Sequence, residues 1–302
     1  AGTPARSIQV PVNPNVQTNV TVTFALRGFL GRVWLPVGGG IFGYTETDIL
    51  VDHTNVTETG ISAGGARAVA FDADGNLWAT FADGTVRMYT ADALTAASPQ
   101  AAKSVSVPGA TGIAIRANTV AVGSCSGTSG GVSTFDRTLA APTASSRISS
   151  VGCVWGLGYD AGNTGKLWVV SKSGGTVYRY NAALTSSDFT GVSISDAYGI
   201  AVDASGNAWV SSCSGNRVQE ISPLGALVGS AILLTDFPCP GGLAFDKQGG
   251  LWVVSAGTGN GSSGSLVSIS GNSPTSQLNS LTQVAFGGIA FDPAGAGLPV
   301  HQ

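Results

Sequence analysis

The segment Tyr198-Gly-Ile-Ala-Val-Asp203-Ala-Ser-Gly206-Asn-Ala-Trp209, followed by Asn216-Arg-Val-Gln-Glu-Ile-Ser222, has relatives along most of the chain. They occur at Ala68-Val-Ala-Phe-Asp72, Gly112-Ile-Ala-Ile-Arg116, Gly156-Leu-Gly-Tyr-Asp160, Gly242-Leu-Ala-Phe-Asp246 and Gly288-Ile-Ala-Phe-Asp292. The last residues of these six segments are 44, 44, 43, 43 and 46 positions apart. A strand-rich period of that length predicts propeller blades, each too small to bury its own apolar face. We therefore expect an all-β, six-bladed propeller with four-stranded blades.

Within a copy, a short apolar strand runs into Asp-x-x-Gly, as at Asp72 to Gly75, Asp203 to Gly206, Asp246 to Gly249 and Asp292 to Gly295. Asp at the first and Gly at the fourth place suit a type I turn. The next strand carries Trp78, Trp168, Trp209 or Trp252, with Val120 in that place in one copy, and the Trp side chains are expected to pack between blades. A third strand, such as Thr176-Val-Tyr-Arg-Tyr180, alternates in polarity as a half-buried strand does.

The ends of the chain predict how the ring closes. Arg32-Val-Trp34-Leu-Pro-Val lies 44 residues before Trp78 but follows no inner strand, whereas Gly288 to Asp292 is an inner strand without a good successor. Pro299 makes Leu298-Pro299-Val300 a poor central strand, because proline has no N–H for the ladder. The N-terminal strands should therefore complete the C-terminal blade, which also protects free edges. Residues 1–27, with Pro4, Pro11 and Pro14, read as an arm or linker, and residues 28–302 as the propeller.

At 302 residues the chain can bury about 75% of its unfolded surface. Only 10% of residues are charged, and 6 Trp and 11 Phe argue against disorder. No apolar run approaches the roughly 18 residues that cross a membrane. A formal charge of -3 without a basic stripe argues against nucleic acid as a partner.

The segment Tyr198 to Ser222 resembles the NHL consensus, in which Gly-Ile-Ala-Val-Asp, Gly-Asn, a Trp or Tyr strand and Asn-Arg-Val-Gln follow in order. The likeness covers roughly residues 32–292. It implies a superfamily that includes streptogramin B lyase and gluconolactonase-like enzymes, and within such a fold the site decides the function. The copies supply neither the paired His and Glu that resemblance to the lyase calls for nor the Glu, Asn and Asp metal set of the gluconolactonase-like branch. The Asn-Arg pair is clear only at Asn216-Arg217, and Arg116 stands where the other copies have Asp.

Cys153 and Cys239 occupy one equivalent place before the inner strand, and Cys125 and Cys213 another after the second strand. In a propeller these two loops meet on one face, which predicts the disulfides Cys125–Cys153 and Cys213–Cys239. No Cys/His spacing supports zinc. Paired cysteines imply an oxidising compartment: periplasm, cell surface or secreted.

Catalytic candidates are absent. Of the two His, His53 beside Asp52 and His301 near the chain end, neither sits in a general-base motif. Asp72-Ala-Asp74-Gly75-Asn76 has Leu77 where a calcium loop requires Gly, so it reads as a turn. The sequons at Asn19, Asn55 and Asn260 matter only where the source glycosylates secreted proteins.

Residues at the start of the inner strands line one mouth of the channel: Arg67, Thr111, Trp155, Asp196, Tyr198 and Gly241. They vary where the repeat is otherwise monotonous, and aromatics beside Arg and Asp suit recognition, although Trp155 and Tyr198 equally suit a channel plug. The leading expectation is an extracytoplasmic scaffold binding a protein, peptide or glycan, with no cofactor and no metal. A metal-dependent lyase or lactonase at the channel mouth is the alternative, and a structural component of a surface layer or envelope assembly is a third.

Overall fold

The computed structural model describes residues 32–37, 39–45, 49, 59–149, 151–160, 164–257, 264–281 and 288–292. Residues 1–27, both His, the Leu298 to Val300 segment and all three sequon asparagines lie outside these residues.

Six four-stranded antiparallel sheets form six blades. Blade 1 joins the two ends of the chain, with Ala290–Phe291 innermost, then Arg32–Val37, Gly40–Thr45 and Thr59–Ile61. The other blades run outward in chain order. Their inner strands are Ala66–Phe71, Ala110–Arg116, Val154–Tyr159, Ala197–Val202 and Pro240–Phe245, for blades 2 to 6. The expected closure is present, with Val33 opposite Phe291 and Trp34 opposite Ala290. Beyond that pair, the Asp292 amide donates to the Arg32 carbonyl and the Arg32 amide to Asp292 Oδ1, each at 2.9 Å.

Among the described residues the apolar side chains form six clusters, each shared by two neighbouring blades. Between blades 2 and 3, for example, Trp78, Val86 and Val105 pack on Ile113, Val122 and Phe135. The Trp of the second strand bridges these junctions as expected: Trp34 meets Phe71, Trp78 meets Phe135, Trp209 meets Phe245 and Trp252 meets Phe291, with ring centres 5.6–6.4 Å apart. A blade therefore gains its stability from its neighbours, as a stacked repeat must.

Three of the Asp-x-x-Gly segments close as turns, the amides of Gly75, Gly206 and Gly249 donating to the carbonyls of Asp72, Asp203 and Asp246 at 3.0 Å, and Gly295 of the fourth lies outside the described residues. The carboxylates are taken up locally. Asp72 Oδ1 accepts the amides of Asp74 and Asn76, and its Oδ2 accepts Asn76 Nδ2 and the Trp78 indole N–H. These bonds support the turn reading of that segment over a calcium loop.

One sequence expectation is corrected by the register. Ala114 lies opposite Ala121, as Ala70 lies opposite Trp78 and Ala201 opposite Trp209. Ala121, not Val120, thus occupies the Trp place in blade 3. The hairpin there is one residue shorter, with Arg116 opposite Thr119, so the place falls five residues after Arg116 rather than the six that separate Asp72 from Trp78.

Candidate functional site

Each inner strand starts on the face that carries the disulfides and ends on the opposite face, at Asp72, Arg116, Asp160, Asp203, Asp246 or Asp292. The channel between the faces is narrow. Its walls include Val69, Ile113, Leu157, Ile200, Leu243 and Ile289, one from each blade, around a space of about 40 Å³. Apolar side chains line this stretch, and among the described residues the expected polar and aromatic residues gather at its mouth.

At that mouth three of the expected residues come together. Trp155 of blade 4 and Tyr198 of blade 5 meet edge to face, with ring centres 5.4 Å apart. Arg67 of blade 2 reaches across, its guanidinium carbon 5.9 Å from the Trp155 ring centre, while one of its terminal nitrogens donates to the Ala110 carbonyl at 2.8 Å. A fourth member, Lys172, completes the cluster. Its Nζ lies 4.0 Å from the Tyr198 ring centre and 5.5 Å from that of Trp155, and it donates to the Tyr198 hydroxyl.

Lys172 was missed because it follows a second strand rather than preceding an inner one. A signal was nevertheless present. The amides of Ala82, Cys125, Lys172, Cys213 and Ala256 all donate to the residue that precedes an inner strand, so these five positions are equivalent. Blade 4 carries Lys where blades 3 and 5 carry a disulfide-forming Cys.

The other expected residues are placed differently. Thr111 is buried and its hydroxyl donates to the Val154 carbonyl of blade 4, tying two blades together. The carbonyl of the buried Gly241 accepts the Ser211 hydroxyl at 2.7 Å in the same way. Asp196 takes a backbone φ of +49° and accepts the Ser214 amide at 3.1 Å. It lines, with Lys172, Ser173, Ser193 and Ser195, a shallow depression of about 500 Å³ beside the aromatic pair.

Both expected disulfides are present, Cys125–Cys153 between blades 3 and 4 and Cys213–Cys239 between blades 5 and 6. The first supports the cluster directly. The Trp155 indole N–H lies 3.3 Å from Cys153 Sγ, and the Lys172 amide donates to the Cys153 carbonyl at 2.8 Å. Among the described residues, no three His, Cys, Asp or Glu side chains converge to hold a metal ion. No helix among these residues is long and apolar enough to cross a membrane.

No family model and no curated protein matches the chain. Solved structures do. One from a nidogen/laminin complex aligns over 88% of this chain and 99% of its own, with a TM-score of 0.64 and 13% identity. A streptogramin B lyase aligns over 89% of each chain, with a TM-score of 0.57 and 14% identity. Virginiamycin B lyase from Staphylococcus aureus aligns over 71% of this chain and 70% of its own, with a TM-score of 0.52 and 14% identity. At such identities the likeness is one of fold: this chain shares the propeller architecture of the streptogramin and virginiamycin B lyases, an architecture compatible with binding and with catalysis.

Proposed function

We propose that this chain is an NHL-type propeller that works outside the cytoplasm, in the periplasm, at the cell surface or secreted, and binds the acidic part of a protein, peptide or glycan at its channel mouth. The observation that carries this reading is the cluster of Lys172 and Arg67 against the rings of Trp155 and Tyr198. Neither cation has an ion pair among the described residues. Two unpaired cations beside aromatic faces suit a ligand that brings a carboxylate or sulfate next to a flat or apolar surface. The two disulfides support an oxidising compartment, and they brace the mouth so that little ordering is needed on binding.

Titration of acidic peptides and acidic oligosaccharides against the wild type, Lys172→Ala and Trp155→Ala tests the reading. Each substitution should weaken capture about tenfold, the scale of a partly desolvated cation–π contact. Unchanged affinity in both variants would reject this face.

A second reading, lyase chemistry at the same mouth, draws on the fold shared with two lyases, and the comparisons weigh toward it. The Lys172 ammonium bonded to the Tyr198 hydroxyl favours it locally, because it places two proton-carrying groups side by side at the mouth, where one can exchange a proton with a substrate carbon. A metal-dependent form finds no donor set among the described residues. Elimination would appear as new conjugated-alkene absorbance from substrates with a leaving group β to a carbonyl. Tyr198→Phe should abolish that signal, and a variant as active as the wild type would remove Tyr198 from the chemistry.

A further inference from the structure

The face opposite the disulfides holds a second, unrelated cluster. Five inner strands end in Asp72, Asp160, Asp203, Asp246 and Asp292, whereas that of blade 3 ends in Arg116. In four of those five blades the carboxylate accepts the indole N–H of the Trp on the following strand. Blade 3 lacks both partners, since the Trp place holds Ala121. Beside Arg116, a cleft of about 520 Å³ opens between blades 3 and 4.

Arg116, Thr134, Ser145, Arg147, Tyr159 and Leu184 contribute to its walls. The Nε of Arg116 is buried without a hydrogen-bond partner, and among the described residues neither Arg116 nor Arg147 is in an ion pair. Arg147 is exposed and is held by its own Nε, which donates to Thr134 Oγ1 at 3.0 Å. Nearby arginines behave otherwise. Arg137 reaches Asp72 and Asp74, and Arg179 reaches Asp160 and Asp188. The cleft does contain one acid, Asp136, but its Oδ1 is already occupied by the amide and hydroxyl of Thr138 at 2.9 and 2.7 Å. Burial pushes the Tyr159 phenol up to about 12, so at neutral pH it stays a neutral hydroxyl.

A buried guanidinium nitrogen without a partner carries a desolvation cost that a bound anion would offset. From this we infer that the blade 3–blade 4 cleft is a binding site for a sugar-sized ligand carrying an oxyanion, whether sulfate, phosphate or carboxylate. Arg116 and Arg147 hold the anionic group, and the Thr134, Ser145 and Tyr159 hydroxyls surround the remainder. The volume lies within the range of small-ligand sites. This site is separate from the channel mouth and stands or falls without it.

Calorimetric titration at low ionic strength with inorganic sulfate, inorganic phosphate and glucuronate, one at a time, tests the inference and identifies the anion. The titrations use the Lys172→Ala protein, so that an anion held at the channel mouth does not enter the measurement, and this protein should bind at least one of the three saturably. Arg116→Gln and Arg147→Gln added to it should each weaken that binding about tenfold or more, the scale of a lost charge-assisted hydrogen bond. Saturable binding of none of the three, or affinity insensitive to both arginine substitutions, would each overturn the assignment. Arg147 is exposed on an outer strand, so Arg147→Gln decides the matter if Arg116→Gln fails to fold.

Discussion

Blades 3 and 4 are neighbours built from the same repeat, yet their inner strands end in opposite ways. In blade 4 the buried Asp160 accepts the Trp168 indole at 2.8 Å and the Arg179 guanidinium, which continues to Asp188 and to the Pro223 carbonyl of blade 5. One carboxylate thus organises an indole, an arginine and the next junction. In blade 3 the same place holds a cation, the indole is gone, and a cleft opens beside the cation. A repeat position can therefore be structural in one copy and free for recognition in the next, and what separates the two is whether its charge is satisfied inside the protein.

That contrast can be broken by stability measurements. Asp160→Ala leaves the buried Arg179 guanidinium and the Trp168 N–H without their main acceptor and should cost about 4 kcal/mol in denaturant unfolding, the usual penalty for breaking a buried pair. Arg116→Ala removes no internal partner and should cost about 1 kcal/mol or less. Equal costs would mean that Arg116 is as structural as Asp160, and the comparison would fail.

The same junction is fastened on its other face. Cys125–Cys153 closes a separation of 28 residues and Cys213–Cys239 one of 26. In the chain-entropy account each contributes about 3.5 kcal/mol, so replacing either pair with Ser should lower stability by similar amounts. Their local effects should differ. Trp155 touches Cys153 Sγ, so loss of the first bridge should also change tryptophan fluorescence and weaken binding at the mouth. Loss of the second should affect stability alone. If both replacements shift the fluorescence equally, the first disulfide has no special part in holding the mouth.

Much of this was legible from the chain because copies can be superposed. The blade count, the closure through Arg32 to Val37 and Gly288 to Asp292, and both disulfides all follow from equivalent positions in a ring. What the copies could not show is what crosses between them. The reach of Arg137 to Asp72, and of Arg179 to Pro223, depends on blade-to-blade placement. Lys172 was hidden for the same reason, since its partners come from the start of two inner strands while it follows a second strand. The blade 3 cleft required knowing both that Ala121 replaces Trp and that Tyr159 and Leu184 of blade 4 form the facing wall.

Tyr159 supplies the smallest and most specific test of the contrast, because it belongs to blade 4 and faces the Arg116 side. Burial raises its phenol pKa to about 12 from an ordinary value of 10.0, and the Arg116 charge works in the opposite direction. Between these two pH values the folded protein retains a proton that the unfolded chain has lost. The contribution to stability is therefore complete below pH 10, declines as pH rises, and is gone once pH passes the folded value. It amounts to about 2.5 kcal/mol. Tyr89 and Tyr180 are also raised by burial and steepen the same alkaline slope, so Tyr159→Phe should flatten it without abolishing it. Adding Arg116→Gln to the wild type should steepen the slope, because the neighbouring cation that favours the phenolate is removed. A slope unchanged by both substitutions would mean that the two side chains do not share the cleft electrostatically.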